Sequence, residues 1–389
     1  ASFDVVIVGG GVTGAAVGYG LAKRGVKTCL VDAVPTFSRA SRANMGLIWC
    51  QSKALGCPQF VRWGFASSRA YGNLAAELKE LSGIDTGYAP TGGIIPCLGE
   101  AELEARAQFI EKLRAETEDG TYPASVLSRK ELEGMLPKVP FGPEVSGGIW
   151  SDMDGYVDPL HLMFAFRKSF VRLGGTLFAG ERVSEVKPSG KGYAVVCGGR
   201  TLECGKAVLA AGLGVRKLAA QLGTDIPVFP NKSQVMLLER IPADVLPIPL
   251  LGIARTFGGT VMIGAAHENM GMDRRLTPEV LAANAQWAVR VWPELERKRI
   301  LRFWTGLRVW PKDAYPIYDR IPGHENAFVF AMHSAVSLAA ILEQALPDYV
   351  MGKPLPPDGA IFGLSRFAGG GSGFQGSAAS SPHAEAPNK

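Results

Sequence analysis

Hydrophobic residues first cluster in a short run near the start of the chain. Residues 3–8 form an apolar, β-branched stretch, a glycine cluster follows, and residues 13–24 carry small and apolar side chains at helical spacing. Residues 27–32 form a second strand-like run. The order of strand, glycine turn, helix and strand predicts a βαβ unit that opens the protein.

Later segments alternate between helical and strand patterns. Helical spacing predicts helices at 66–81, 100–116, 160–173, 278–291 and 334–351, and apolar runs predict strands at 176–187, 192–197, 206–211, 300–308 and 327–332. Residues 225–264 alternate short apolar runs with prolines, which is typical of a mostly antiparallel sheet. We therefore expect an α/β protein with a Rossmann-like domain and a second, antiparallel-sheet domain.

The same pattern suggests how the chain divides into domains. Residues 1–80, 150–225 and 310–364 are assigned to the nucleotide-binding domain, and 81–149 with 226–309 to a substrate-binding domain. The last segment, 365–389, is rich in Gly, Ser, Ala and Pro and has no apolar periodicity. Such a composition predicts a flexible tail.

Composition and charge narrow the function further. The 41 Lys and Arg residues against 36 Asp and Glu give a net charge of +5, which is too small and too scattered to indicate nucleic acid as a partner. The six cysteines have no C-x-x-C spacing, so we expect no metal site and no disulfide framework. The chain opens without a secretory pattern, and its longest apolar stretch, 327–342, is too short to span a bilayer. These features predict a cytoplasmic protein.

The glycine cluster matches a dinucleotide-binding fingerprint. Gly9, Gly11 and Gly14 have the spacing G-x-G-x-x-G between a predicted strand and a predicted helix. In this motif the first glycine makes the tight turn, the second lets a pyrophosphate approach the backbone, and the third lets the helix pack closely. Asp32 ends the second strand, where a carboxylate can accept hydrogen bonds from ribose hydroxyls. The motif alone does not separate FAD from NAD.

Three further stretches resemble the family of D-amino-acid oxidase, glycine oxidase and sarcosine oxidase. Residues 41–48 (SRANMGLI) are similar to the loop that follows the flavin, residues 182–183 to a strand beside the adenine, and residues 207–212 (AVLAAG) to a strand beside the ADP moiety. The resemblance covers residues 3–352 and implies FAD as the cofactor. The residues that it and the fingerprint assign to the cofactor are Gly9, Gly11, Val12, Thr13, Gly14, Asp32, Ser41, Asn44, Gly46, Leu47, Val183, Ala211, Gly212, Ser334, Val336 and Ser337.

A narrower resemblance concerns residues 46–49, 51–53 and 333–339 (HSAVSLA). These are similar to the flavin subunits of opine dehydrogenases and hydroxyproline dehydrogenases, with hydrogen cyanide synthase flavin subunits as near relatives. The resemblance implies an amino-acid-like amine as substrate. It also implies partner subunits that contain iron–sulfur clusters, an electron-transport acceptor, and contact with the inner face of the membrane through such a complex.

The resemblance also implies a substrate site. Residues 306–308 (GLR), followed by Pro311 and Asp313, are similar to the family segment whose arginine binds the substrate carboxylate. Arg308 suits this role because a planar guanidinium grips a carboxylate through two parallel bonds. The alternative is a structural arginine paired with Asp313 or Asp319.

Two histidines are candidates for the same site. His267 corresponds to a residue that lines the pocket in the glycine oxidase group, with a purely structural histidine as the alternative. His333 precedes the predicted closing helix, whose N-terminal amides in this family face the pyrimidine end of the flavin. The family usually has glycine where this chain has Ala335, and Arg-Gly-Gln where it has Lys232, Ser233 and Gln234. Lys232 is therefore a further candidate near the flavin.

These residues predict oxidative deamination. A hydride passes from the α-carbon of a neutral amine to flavin N5, and water hydrolyses the resulting imine. No general base is required, and the tyrosines and tryptophans between 287 and 318 are expected to serve in packing. Two alternatives stay open at this point: an NAD-dependent dehydrogenase, and a subunit that holds FAD while a partner performs the catalysis.

Overall fold

The predicted βαβ opening is confirmed in the computed structural model, which describes residues 2–34, 39–264, 266–371 and Phe374. Strand β1 (Ser2–Val8) leads into helix α1 (Val12–Lys23), which leads into strand β2 (Thr28–Asp32). The two strands pair in parallel, with Val6 opposite Cys29, and all of β2 is buried. Parallel neighbours need a crossover on one face of the sheet, and α1 provides it.

The remaining elements follow in chain order. They are α2 (Arg39–Arg42), β3 (Leu47–Ile48), α3 (Pro58–Ser82), β4 (Gly93–Leu98), α4 (Glu100–Ala115), β5 (Ser125–Ser128), α5 (Arg129–Met135), β6 (Val145–Ser151), β7 (Gly155–Tyr156), α6 (Pro159–Arg172), β8 (Thr176–Ala179), β9 (Val183–Ser189), β10 (Gly192–Cys197), β11 (Arg200–Leu209), α7 (Val215–Ala220), β12 (Val228–Arg240), β13 (Ile253–Arg255), β14 (Thr260–Gly264), α8 (Pro278–Val291), β15 (Ile300–Pro311), β16 (Ile317–Ile321), β17 (His324–Ala331), α9 (Ala335–Val350) and α10 (Pro357–Ala360). Short 3-10 segments lie at Gly212–Gly214, Pro293–Arg297 and Leu364–Gly370.

A largely parallel sheet forms the centre of the molecule. Within the described residues it has eight strands, six of them in the order β16, β17, β11, β1, β2, β8, with β9 and β10 joined to β11 as an antiparallel meander. Strands β17, β11, β1, β2 and β8 run in the same direction. The carboxyl ends of β1, β2 and β11 therefore meet at one edge, which is where open α/β sheets bind nucleotides.

The two faces of this sheet are covered differently. Helices α1, α3, α6 and α9 pack together on one face, where Ile7 of β1 belongs to the same apolar cluster as Phe166 and Leu342. On the other face Val6 packs with β9, β10 and α7, with Leu218 in the same cluster. Neighbouring residues of β1 thus serve opposite layers, as the period of a strand requires. This continuous burial explains why the sequence shows an unbroken apolar run.

Antiparallel sheets lie beside the central one. Strands β13, β14, β12 and β15 form a sheet in that order, and β4, β6 and β5 form another, joined to it where Ile94 bridges Leu250. The antiparallel sheet expected at residues 225–264 is confirmed in β12, β13 and β14, and so is the α/β class as a whole. The exact domain boundaries stay a prediction.

The first residues of the predicted flexible tail make specific contacts with the rest of the chain. In the first residues of the predicted tail, Arg366 and Phe367 are partly buried, whereas Ser365 and residues 368–370 are exposed. Arg366 donates to Asp313 through Nε at 2.8 Å, with both side chains almost fully buried, and Phe374 N donates to the same carboxylate at 3.1 Å. Flexibility of the tail stays a prediction. The rest of the predicted tail lies outside the described residues.

Candidate active site

The glycine turn after β1 has a geometry that only glycine allows. Gly9 has φ +105°, and a Cβ on it would lie 2.4 Å from the carbonyl oxygen of Ala210. A Cβ on Gly14 would lie 1.8 Å from the carbonyl oxygen of Gly9. The turn, the start of α1 and the end of β11 are therefore pressed together. The first and third glycines of the fingerprint have the geometrical roles that the motif assigns to them.

Predicted cofactor residues from separate parts of the chain meet at this turn. Ala211 and Gly212 follow β11, and the Cα of Ala211 would lie only 2.6 Å from a Cβ on Gly9. Ser41 of α2 accepts a hydrogen bond from Val12 N at 3.1 Å, so its hydroxyl lies at the first turn of α1. The structure thus brings together the residues expected around the diphosphate.

Asp32 has structural partners that the sequence did not reveal. Its Oδ2 accepts a hydrogen bond from Gly10 N at 2.6 Å and pairs with Arg167 of α6 at 3.0 Å, and its Oδ1 accepts from Val34 N at 2.7 Å. Arg167 also donates to the carbonyl oxygen of Gly10 at 2.8 Å. The buried pair of Asp32 and Arg167 therefore holds the backbone of the glycine turn at Gly10. Contact of Asp32 with a ribose stays a prediction. Val183 lies at the start of β9, two residues after Glu181, whose N–H donates to the carbonyl oxygen of Asp32 at 2.9 Å.

A second group of predicted cofactor residues lies at the start of α9. Asn44 Oδ1 accepts from Gly46 N at 2.6 Å, and a Cβ on Gly46 would lie 2.2 Å from the carbonyl oxygen of Val157. Ser337 in the first turn of α9 accepts from Trp49 N at 3.0 Å and donates to the carbonyl oxygen of Leu47 at 3.3 Å. The loop resembling the flavin loop is therefore tied to the helix that the resemblance places at the flavin.

The donor set of these two regions suits FAD. Helix α1 begins after Gly11 and helix α9 begins after Ser334, and in neither helix does the side chain of the N-cap residue bond the first amides. In α1 the hydroxyl of Ser41 takes only the amide of Val12. Free amides and the positive end of the helix dipole favour negative charge, such as a diphosphate at α1 and an anionic ring end at α9. Val336, in the first turn of α9, accepts from Tyr71 Oη at 2.7 Å through its carbonyl oxygen, which fixes the helix in place.

Arg308 has a partly buried guanidinium with neutral partners. Its Nη1 donates to Asn231 Oδ1 at 2.9 Å and to the carbonyl oxygen of Ala266 at 2.7 Å, and its Nη2 donates to Ser233 Oγ at 2.8 Å. These oxygens orient the guanidinium without cancelling its charge. Burial lowers the pKa of Arg308 to about 10, so the group still carries its charge at neutral pH.

The alternative partners of Arg308 are engaged elsewhere. Asp313 binds Arg366, and Asp319 accepts from Leu364 N at 2.6 Å. Over residues 2–34, 39–264 and 266–371, no acidic side chain forms an ion pair with Arg308. Even partial burial of a cation without an anion is unfavourable, and a ligand that supplies the anion removes this cost. The arrangement therefore favours a carboxylate ligand over a structural role.

Both candidate histidines lie next to one indole. The ring of Trp310 packs against His267 with centroids 5.2 Å apart and against His333 with centroids 4.6 Å apart. His267 Nδ1 is 3.0 Å from Asn231 Oδ1, the atom that also accepts from Arg308. The structure thus joins all three residues predicted for the substrate site. Trp310, which we expected to serve in packing alone, lies between the two histidines.

Burial and nearby positive charge keep both imidazoles neutral. Burial, reinforced by the charge of Arg308, lowers the pKa of His267 to about 3. Burial, with Arg308, His267 and Lys53 adding to it, lowers the pKa of His333 well below its usual value. Neither ring can hold a proton from the substrate near neutral pH. A substrate amine in this positive environment is likewise favoured in its neutral form.

The neutral histidines predict a loss of stability in acid. Between about pH 6.5 and 3 the unfolded chain binds protons at these rings and the folded chain does not. Stability is therefore complete above about pH 6.5 and falls as the pH drops through this range. We expect the melting temperature of the wild type to fall between pH 7.5 and pH 5, and to fall less in His267→Gln. An equal fall in both proteins, measured by thermal scanning, would contradict the buried neutral imidazole.

Successive side chains of β12 point to opposite faces of the sheet and so form two groups. Asn231 and Ser233 contact Arg308, whereas Lys232 points away and pairs with Glu268 at 3.1 Å and donates to Thr277 Oγ1 at 2.7 Å. Lys232 is almost completely buried in this network. The charge of Lys232, the candidate cation near the flavin, is thus balanced by the carboxylate of Glu268. The neighbouring residues Asn231 and Ser233 orient the guanidinium of Arg308.

Residues 50–54, which we call the Lys53 segment, contain a buried lysine that the sequence analysis did not predict. Asp154 holds this segment by accepting from Cys50 N at 2.6 Å and from Gln51 Nε2 at 2.7 Å. Burial raises the pKa of Asp154 to about 7. Burial lowers the pKa of Lys53, whose charge is felt by His333. No local pattern in the sequence indicates that this lysine is buried.

Comparison with known proteins shows similarity along nearly the whole chain. The family described as "DAO: FAD dependent oxidoreductase" matches residues 4–342. The chain is 33% identical to an opine oxidase subunit of Agrobacterium tumefaciens (strain Ach5) over 365 residues, which are 94% of this chain and 97% of that protein. It is 27% identical to glycine oxidase of Geobacillus kaustophilus (strain HTA426), over 94% of this chain and 98% of that protein. The crystal structure of a Geobacillus kaustophilus glycine oxidase superposes with a TM-score of 0.86, covering 94% and 99% of the two chains at 27% identity.

Proposed function

The chain is an enzyme of the FAD dependent oxidoreductase family, and we propose from this premise that it oxidises an amino-acid-like amine at the carbon next to the nitrogen. The family makes FAD the cofactor and removes the alternative of an NAD-dependent dehydrogenase. The substrate class is inferred from relatives named for opines and for glycine, both of which present a carboxylate beside an amine. The observation that carries the proposal is the partly buried Arg308, which has no anionic partner among the described residues.

Bound FAD supplies the electron acceptor, which takes the hydrogen of the substrate C–H bond with both electrons. Arg308 binds the substrate carboxylate in two parallel hydrogen bonds and so fixes the α-carbon next to it. Asn231 and Ser233 orient the guanidinium. His267 and His333 stay neutral and add no competing charge, so the amine binds with its lone pair free. Loss of hydride then gives an imine, which water hydrolyses.

The test is reduction of the enzyme's own flavin without oxygen. The purified yellow protein is mixed with opines, D-hydroxyproline, D-amino acids and sarcosine in turn, and the flavin absorbance is followed. We expect one class of amine to bleach the flavin and the corresponding alcohols, which lack the nitrogen, to leave it oxidised. A flavin that no amine reduces would rule out the proposal.

A partner subunit is part of the proposal. A relative that matches over 97% of its length is named as a subunit of an opine oxidase, and we extend this organisation to the present chain. In the complex, partner subunits with iron–sulfur clusters pass the electrons on to an electron-transport acceptor. The second candidate, a subunit that holds FAD while a partner performs the catalysis, rests on the same relative. Among the described residues, no helix combines the length and apolar character needed to cross a membrane.

A further inference from the structure

Asn231 connects Arg308 and His267 through a single oxygen atom. Its Oδ1 accepts a hydrogen bond from Arg308 Nη1 at 2.9 Å and lies 3.0 Å from His267 Nδ1. Its Nδ2 donates to Asn269 Oδ1 at 3.3 Å, which fixes the end of the amide that faces the other two side chains. Asn231 is almost fully buried, so these contacts are shielded from water. The amide of Asn231 therefore presents an acceptor to His267.

The contact with Asn231 determines which ring nitrogen of His267 carries the proton. An amide oxygen only accepts hydrogen bonds, so Nδ1 of the imidazole is the donor. Burial and the charge of Arg308 keep the ring neutral by lowering the pKa of His267 to about 3, so the ring holds a single proton. The other nitrogen, Nε2, then carries a lone pair. Among the described residues, no donor bonds Nε2, which is left as a free acceptor.

The imidazole lies beside the guanidinium that receives the substrate carboxylate. His267 Nδ1 and Arg308 Nη1 are each within 3.0 Å of the same oxygen. Asn231, the carbonyl oxygen of Ala266 and Ser233 each take one N–H donor of Arg308, which leaves one donor on Nε and one on Nη2 for a ligand. In an amino acid only the α-carbon separates the nitrogen from the carboxyl group. A carboxylate on Arg308 thus brings the amine to the same group of residues.

We propose that His267, held by Asn231 with its proton on Nδ1, accepts a hydrogen bond from the substrate amine and so selects amines that carry an N–H. The inference rests on the proposed function and deepens it, because it defines which amines the site takes. Primary and secondary amines have an N–H in the neutral form that reacts, whereas tertiary amines have none. Asn231 acts through His267 and Arg308 and is a positioning residue.

The bond to His267 becomes stronger during the reaction. The C–H bond at the α-carbon breaks, and the hydrogen leaves with both electrons for the flavin of bound FAD. The lone pair of the nitrogen then forms the C=N bond, so the nitrogen becomes positive and its N–H becomes a charge-assisted donor to Nε2. An interaction that strengthens in the transition state raises kcat as well as affinity. A tertiary amine offers Nε2 no donor at any stage.

The experiment compares two isomers that differ in one N–H. N-Ethylalanine and N,N-dimethylalanine contain the same atoms and the same carboxylate, but only the first has an N–H in its neutral form. Binding to the FAD-loaded enzyme is measured from the change in flavin absorbance, and kcat and KM are measured where the flavin is reduced. We expect the wild type to bind N-ethylalanine about 2- to 13-fold more tightly, the usual net effect of one hydrogen bond. The preference in kcat/KM is expected to exceed that in Kd, and equal values for both isomers would overturn the inference.

Variants assign the preference to His267 and Asn231. His267→Phe keeps an aromatic ring without the acceptor and is expected to lose the preference. Asn231→Leu has no oxygen to hold the Nδ1 proton and is expected to lose it too. Asn231→Asp keeps the oxygen, so at about pH 8 it is expected to keep the preference, although its charge pairs with Arg308 and weakens the binding of both isomers equally. Asn73→Leu, on an exposed position of α3, is expected to behave like the wild type.

NMR of the FAD-loaded enzyme with isotope-labelled histidine observes the tautomer without any turnover. Ring nitrogens with and without a proton resonate far apart, and the signals missing in His267→Phe identify those of His267. We expect the proton on Nδ1 in the wild type and in Asn231→Asp, and a shift toward Nε2 in Asn231→Leu. A wild type with its proton on Nε2 would make the inference wrong, whatever the activity of the Asn231 variants.

Other outcomes separate the inference from the proposed oxidation. If the wild type shows the expected tautomer and binds N-ethylalanine more tightly, but no amine reduces the flavin, the inference on binding holds and the oxidation fails. If both isomers are oxidised with the same kcat/KM, the oxidation stands and the inference is overturned. A preference that survives in His267→Phe places the acceptor on another residue and likewise contradicts the inference.

Discussion

Replacing Arg308 with alanine is expected to lower kcat/KM for amino-acid-like amines by about 30- to 5,000-fold, the range seen when one partner of a buried charge pair is removed. The loss arises because the substrate carboxylate then enters a buried site without its cation. FAD is expected to stay bound, since the predicted cofactor contacts lie on other elements. The measurements are steady-state kinetics and the ratio of flavin to protein absorbance.

The matched comparison for Arg308 is lysine at the same position. Lysine keeps the charge but cannot form two parallel bonds, so Arg308→Lys is expected to recover only a part of the activity. Melting temperature is expected to change little, because the guanidinium has no carboxylate partner among the described residues. Unchanged amine oxidation by Arg308→Ala in the assembled complex would instead favour a subunit that only holds FAD.

The opening of the fold could be predicted because its signals are local. The apolar run of β1, the glycine spacing and the helical pattern of α1 are contiguous in sequence, and each follows from backbone geometry over a few residues. The parallel sheet then places the end of β11 next to the same turn. Ala211 lies next to Gly9 in the structure but far from it in the sequence, so no local pattern links the two. Only the family resemblance predicted that they are neighbours.

The substrate site was predictable in part. Arg308, His267 and His333 were found from motifs. The two histidines do flank one indole, and Arg308 shares the side-chain oxygen of Asn231 with His267. Trp310 and Asn231 were not found, because their role depends on the register of β12 against β15, which places Asn231 opposite Arg308. Register is set by long-range pairing and cannot be read from one strand.

Buried charges were the least predictable part. Lysine and arginine are mostly exposed, so composition gives no reason to expect a buried Lys53 or Arg167. Arg167 stands within an ordinary amphipathic helix, and only the packing of α6 under the glycine turn shows that it pairs with Asp32. The same packing gives Asp32 structural bonds in addition to the ribose contact that the fingerprint predicts.

Substituting alanine for Gly14 is expected to remove most FAD binding. The added methyl would lie 1.8 Å from the carbonyl oxygen of Gly9, so the turn must open and the first amides of α1 must move away from the diphosphate. Overpacking of this kind costs about 1–3 kcal/mol, which corresponds to a loss of affinity of about 5- to 150-fold. Titration of the flavin-free protein with FAD, followed by flavin fluorescence, measures the effect. The rise in melting temperature caused by FAD should shrink with it, because bound ligand stabilises in proportion to the logarithm of its concentration over Kd.

The control for Gly14 lies one turn further along the same helix. A Cβ on Gly18 would meet Ile7 at 3.4 Å and Phe170 at 3.5 Å, which are ordinary contact distances. Gly18→Ala is therefore expected to keep the affinity for FAD, and its better helix propensity adds stability of up to about 1 kcal/mol. Both variants add the same methyl group to α1, so a difference between them isolates the contact with the glycine turn. Equal affinities in Gly14→Ala and Gly18→Ala would show that FAD does not depend on the close approach of α1 to this turn.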